Sequence, residues 1–211
     1  MSFYLDHSSS LALYEAPKNG GTTLRIWLAY KLTGKLFLSS GKSNYYAGTA
    51  EMTKLLNASG YVHRGFVNSE CRSRICITRD PVDRFVSCFL DKIIKEGRMT
   101  MPISEFLKSF HETIKKDQAI VEPYGISKLD FHFRPQVYHF GASKQYYTRI
   151  FTVSQISTSL KSFLEDHWNI KLPDIHARNS SYAKAATLLS EKDKELIKNL
   201  YEPDYKVGWG L

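Results

Sequence analysis

The sequence predicts an α/β fold: one domain over residues 1–211, with a mostly parallel central sheet covered by helices on both faces, a three-layer α/β/α arrangement. Three observations predict it. Short apolar runs alternate with stretches of helical periodicity along the chain. No internal repeat, low-complexity tract or Pro/Gly-rich linker divides the 211 residues. Apolar residues make up 43% and charged residues 24%, an ordinary globular balance in a chain long enough for one substantial core.

The elements follow in order. Residues 11–15 are a short apolar run suited to a buried strand. The turn Ala16-Pro17-Lys18-Asn19-Gly20-Gly21 leads into a helix over 22–33, where Leu24, Trp27, Leu28 and Leu32 share one face and Gly34 is a natural stop. A short helix over 51–57 precedes strands at 61–67 and 74–78. Pro81 suits the first position of a helix whose apolar face is Val82, Phe85, Val86, Phe89 and Ile93. Helices over 103–115 and 157–167 flank a strand at 150–153. A last helix begins at Ser190, which pairs with Asp193 as a cap, and buries Leu196, Ile197 and Leu200. In sheets of this kind, ligands bind at the C-terminal ends of the strands.

Lys and Arg outnumber Asp and Glu by 29 to 21, a net charge of +8, which favours anionic partners without choosing among nucleotides, acidic glycans, nucleic acid and lipid. Cys71, Cys76 and Cys88 form no paired framework and have no second Cys/His pair at ligand spacing, so they read as buried reduced thiols. The first residues, Met-Ser-Phe-Tyr-Leu-Asp-His, show no basic stretch followed by an apolar run, and no segment has the length of a membrane span. A cytoplasmic location is the expectation.

Pro17-Lys18-Asn19-Gly20-Gly21-Thr22-Thr23 has the parts of an anion cradle. Its glycines allow a tight turn with close N–H groups, the following helix points its free N–H groups at the same place, and Lys18, Thr22 and Thr23 add a cation and two hydroxyls. A plain strand-to-helix turn, with glycines for geometry alone, fits the same residues. A nucleoside triphosphate loop does not, because its lysine follows the glycines. Gly41-Lys42-Ser43 has that ending, but Leu36 stands where the first glycine is required.

A second segment, Thr78-Arg79-Asp80-Pro81-Val82-Asp83-Arg84-Phe85-Val86-Ser87, ends a strand with a guanidinium able to fork onto a phosphate. On the helix that follows, Asp80, Arg84, Ser87 and Asp91 form a polar stripe, which also suits a capped helix with an Asp80–Arg84 ion pair.

Together these two segments resemble the PAPS-dependent sulfotransferases, above all their carbohydrate branch. (PAPS is 3′-phosphoadenosine 5′-phosphosulfate.) Pro17, Lys18, Gly20, Thr22 and Leu24 match the family's first motif, and Arg79, Asp80, Pro81, Arg84 and Ser87 match its second. The resemblance implies a P-loop-like, nucleotide-binding sulfotransferase fold. It also implies PAPS as donor co-substrate, adenosine 3′,5′-bisphosphate (PAP) as product, and no metal. Residues Lys18, Asn19, Gly20, Gly21, Thr22 and Thr23 would grip the 5′-phosphosulfate, and Arg79 and Ser87 the 3′-phosphate. Asp130-Phe131-His132-Phe133-Arg134-Pro135-Gln136 is similar to a His-aromatic-x-Pro-Gln segment of some carbohydrate sulfotransferases. Residues 176–181 and 200–205 are similar to their C-terminal part, which implies a nucleotide lid at Arg178, Asn179 and Ser180.

In the implied reaction an acceptor hydroxyl attacks sulfur in line with the departing 5′-phosphate. Lys18 is the cation suited to the charge that grows on the bridging oxygen. For the base, His63 comes first and His132 second, with Glu70 and Glu51 also open. Arg64, Arg134 and the basic stretch 144–149 could meet an anionic acceptor, or be solvated charges. The partner is then a carbohydrate or other hydroxyl-bearing molecule, with no nucleic acid and no integral membrane segment. The rival readings are a small-molecule or nucleotide kinase and a non-catalytic polyanion binder.

Overall fold

The computed structural model describes residues 2–37, 45–64, 71–97, 101–116, 131–175 and 189–210. Two compact units emerge: Met1–Glu15, Asn19–Ile77 and Gln145–Ala177 form the first, and Ala16–Lys18, Thr78–Lys144 and Arg178–Leu211 the second.

The first unit holds the sheet. Its strands are β1 (Ser2–Asp6), β2 (Leu11–Tyr14), β3 (Val62–Arg64), β4 (Ser73–Thr78) and β5 (Arg149–Thr152), in the order β3-β1-β2-β4-β5. The predicted strands at 11–15, 74–78 and 150–153 are present within a residue at each end. The one predicted over 61–67 is seen as Val62–Arg64, and residues 65–70 lie outside the described set. β2 runs parallel to β4, with Leu13 opposite Ile75.

Strand β1 was not foreseen, and it corrects the expectation of a mostly parallel sheet. It lies antiparallel to both neighbours, pairing Phe3 with Tyr14 on one side and with His63 on the other. β2, β3 and β4 therefore share a direction, but an inserted strand opposes them. The polar residues after β1 explain the tight reversal: Asp6 accepts from the Ser8 N–H at 3.2 Å and from both serine hydroxyls, closing a side-chain turn. Asp6 also pairs with Lys31. Burial alone would raise its pKa, but the bonds from Lys31, Ser9 and Ser8 hold it down to about 2.

Helix α1 (Gly21–Thr33) packs Leu24, Trp27 and Leu28 onto Leu13, Ile75 and Ile77 of the sheet, and Gly34 stops it in the left-handed region, donating to the Tyr30 carbonyl at 2.7 Å. Helix α2 (Tyr45–Ala58) starts earlier than the predicted 51–57 and buries Met52 and Leu56. After β5 a π-helical turn, Ile156–Leu160, leads into a helix over Lys161–Trp168, numbered α6 because three described helices of the other unit precede it in sequence.

Those helices belong to the second unit. They are α3 (Pro81–Cys88), continued by a π-helical stretch Phe89–Lys95, α4 (Ile103–Lys116) and α5 (Gln136–Phe140). Helices α7 (Glu191–Leu200) and α8 (Glu202–Val207) complete it. Asp80 caps α3 by accepting from the Asp83 N–H at 3.0 Å, with Pro81 in the first turn as predicted. Phe85 centres an aromatic core, its ring 5.5–6.3 Å from those of Phe106, Phe110, Phe133 and Tyr201. Ser190 and Asp193 form the expected reciprocal cap. Helices α5 and α8, of five and six residues, are too short to leave a periodic pattern.

Cys71, Cys76 and Cys88 are all buried and carry thiols, as the sequence suggests. Among the described residues, no helix is long and apolar enough to cross a membrane, and no cluster of three His, Cys, Asp or Glu side chains is placed to hold a metal ion.

Equilibrium unfolding in urea should separate the two kinds of contact in the second unit. Phe85→Ala should cost about 3–5 kcal/mol, and Ser190→Ala only about 1 kcal/mol.

Candidate active site

In the second unit, residues 16–18 bring the start of the glycine-containing loop against the beginning of α3. The Lys18 carbonyl accepts from Arg79 Nη1 at 3.2 Å, and the Pro17 carbonyl from Arg84 Nε at 3.0 Å. Lys18 is left-handed, with φ 70°, a conformation a non-glycine residue adopts at a cost and holds only when its surroundings over-determine it. Its Nζ lies 3.2 Å from the Asp91 carboxylate, in the π-helical continuation of α3. Ser87, one turn earlier, is buried. Two residues singled out on separate motifs, Lys18 and Arg79, are thus in direct contact.

Arg84 is the surprise of this region. The sequence allowed an Asp80–Arg84 ion pair on the polar stripe of the helix. Arg84 is instead 0% exposed, and its Nη2 donates to the His132 carbonyl at 2.9 Å while Nε holds Pro17. Asp80 is committed elsewhere, to the Asp83 N–H and to the Tyr205 hydroxyl at 3.2 Å. A planar fork that reaches two carbonyls at once explains arginine at this position.

The remaining loop residues belong to the first unit. Asn19 is fully buried and its amide donates to the Ile77 carbonyl at the end of β4, 2.8 Å away. Gly20 has φ 85°, a backbone conformation that calls for glycine, and a Cβ there would also have to displace the tip of the Ile156 side chain, 2.2 Å away. A Cβ on Gly21 would fall 2.0 Å from Glu15 Oε2. Helix α1 begins with no side-chain cap and no acidic residue in its first turn, and Thr22 and Thr23 sit in that turn. Its leading N–H groups and dipole therefore favour an anion.

Other candidates are placed unevenly. His132 lies half-buried in a 3₁₀ turn, Phe131–Phe133, tied to Arg84 through its carbonyl. The backbone of His63 lies in β3, but its side chain, like that of Arg64, is outside the described residues. Glu70, Arg178, Asn179 and Ser180 are also outside them. Glu51 is exposed on α2. Arg134 stacks over Tyr138 at 4.4 Å, Lys144 over Trp209 at 5.9 Å and Arg149 over Phe163 at 4.9 Å.

Three residues that fell within these sequence segments but were given no role bear on the site: Asp91 as a partner of Lys18, Gln136 and Asp204. Gln136 contacts the Arg79 backbone and Asp204 caps α5. Burial lowers the Arg79 pKa, with Asp83 acting against that. His139, on α5 and 4% exposed, is driven down to about 2 by burial, then by the Arg84 charge and, more weakly, by Arg134.

Compared with known proteins, residues 2–207 match the model described as the sulfotransferase family. No curated protein and no solved structure matches the chain.

The buried imidazole makes stability depend on acid. The unfolded chain protonates His139 below its ordinary value of about 6.5, while the folded chain does not until about pH 2. Its contribution is complete above about pH 6.5 and falls by about 1.4 kcal/mol for each unit below that. Urea unfolding of His139→Phe should therefore show a flatter profile than the parent between about pH 6.5 and 4.5; equal slopes would contradict it.

Proposed function

The chain belongs to the sulfotransferase family, and from that premise we propose that it moves a sulfuryl group from PAPS to an acceptor hydroxyl, on a carbohydrate. The observation that carries the donor assignment is the contact of the Lys18 carbonyl with the Arg79 guanidinium, which joins the first motif to the second. A nucleotide phosphorylated at both the 5′ and 3′ positions calls for two such anion grips side by side. The family match runs through both compact units, which supports reading 1–211 as one sulfotransferase domain.

Lys18, Asn19 and the residues from Gly20 to Thr23 hold the 5′-phosphosulfate on the uncapped first turn of α1. Arg79 forks onto the 3′-phosphate beside the Ser87 hydroxyl. Arg178, Asn179 and Ser180 close over the nucleotide. Donor binding draws Lys18 from Asp91, since a phosphosulfate offers more charge than one carboxylate.

During transfer the acceptor oxygen bonds to sulfur as the sulfur–oxygen bond to the 5′-phosphate breaks. The electron pair goes to the bridging oxygen, where Lys18 stabilises it, and the hydroxyl proton goes to a histidine. His63 is the first candidate for that base and His132 the second. His132 is supported by Arg84, which holds the backbone of His132 and of Pro17 with one guanidinium. No residue in this scheme requires a metal ion.

Transfer of labelled sulfate from PAPS to a panel of glycans tests the assignment. Lys18→Ala should reduce the rate by about 10²- to 10³-fold with the fold intact, and full activity would reject the mechanism. Replacing the histidine that serves as base should cost about 10²- to 10⁴-fold, and the other one far less.

A further inference from the structure

Arg79 occupies a single-residue gap. β4 ends at Thr78 and the α3 cap is Asp80, so Arg79 is the one residue between the two elements. One side chain fills the gap. Gln136 accepts the Arg79 N–H on Oε1 at 3.0 Å and donates from Nε2 to the Arg79 carbonyl at 2.8 Å. These are the two bonds a neighbouring strand would make, supplied by one carboxamide.

Gln136 is itself fixed. It is 0% exposed, and its own N–H donates to Asp204 Oδ2 at 2.8 Å while the Val137 N–H donates to Oδ1 at 2.8 Å. That carboxylate, also 0% exposed, caps the first turn of α5 from a position far along the chain. The same C-terminal segment adds further ties: the Tyr201 hydroxyl donates to the Phe133 carbonyl at 2.6 Å and Trp209 Nε1 to the Gly141 carbonyl at 3.0 Å. Gly210 comes so close that a Cβ on it would lie 2.9 Å from the Arg79 carbonyl oxygen and 2.8 Å from Pro81 Cδ. Gln136 and Gly210 thus flank the Arg79 backbone, and its guanidinium donates to the Lys18 carbonyl.

The geometry points to Gln136, anchored by Asp204, as a positioning residue that fixes the Arg79 backbone so that the guanidinium meets the donor's 3′-phosphate. This rests on the donor reading above. It gives the Pro135-Gln136 pair and the segment 201–210 a role in donor affinity rather than in the chemical step. Only a carboxamide of this length both accepts and donates here. Glutamate has the same shape, but it lacks the donor and sets a carboxylate oxygen against the Arg79 carbonyl.

The test is the affinity for PAP of four proteins: the parent, Gln136→Glu, Arg79→Ala and the double variant. The expected result is a loss of about tenfold for Gln136→Glu, a loss at least as large for Arg79→Ala, and no further loss in the double variant. An unchanged affinity in Gln136→Glu overturns the inference. So does a loss that recurs in full when Arg79 is already alanine, because the effect would then come from general loosening of the unit. Should Gln136→Glu not fold, Asp204→Asn, which gives up one of the two N–H acceptors, is measured in the same two backgrounds with the same two outcomes. If the parent binds PAP and Arg79→Ala weakens it while Gln136→Glu does not, the donor reading survives and only this inference fails. If the parent binds no PAP, the donor reading fails and takes this inference with it.

Discussion

A buried guanidinium organises the second unit. Arg84 sits on α3 with no exposed surface, and it ties the Pro17 carbonyl at the head of the loop to the His132 carbonyl in the following turn. Removing a charge from water is expensive unless its hydrogen bonds are replaced, so the carbonyls it finds become fixed points. Lys18 follows Pro17 directly, and its strained left-handed backbone is held between that anchor and the Arg79 contact. Burial first, and then the Arg84 charge, keeps the neighbouring His139 neutral.

Around this point the unit invests its polar groups in backbone positions. Gln136 and Asp204 serve the Arg79 corner, Tyr201 serves Phe133, and Asp80 serves the first turn of α3. The aromatic core centred on Phe85 packs beneath them. What this leaves for chemistry is a short set of cations and hydroxyls on over-determined backbone, which suits electrostatic stabilisation without reorganisation during the reaction. The family membership supplies the class of reaction, sulfuryl transfer.

Much of this was legible in the sequence because its signals are local. The run from Leu11 through the glycines into α1 and the Asp80-Pro81 start of α3 depend on neighbouring residues alone, as does the Ser190–Asp193 cap. Strand β1 was not legible, because Ser-Phe-Tyr-Leu-Asp lacks alternation and its strand character comes from pairing with β2 and β3. The burial of Arg84 was not legible, because its two carbonyl partners come from segments distant in sequence. Gln136 and Asp204 lie in segments the sequence singled out, but their pairing was not legible, since they are 68 residues apart and meet through a main-chain N–H. The left-handed backbone of Lys18 has no sequence signal, since lysine does not favour it.

The central claim is that two adjacent anion grips hold one nucleotide at both ends. The most direct measurement is the rise in melting temperature with PAP, compared at equal concentration with adenosine 5′-monophosphate and adenosine 3′-monophosphate. The account predicts a clearly larger shift with PAP than with either monophosphate, because only PAP engages Lys18 and Arg79 together. Equal shifts with PAP and one monophosphate would contradict it.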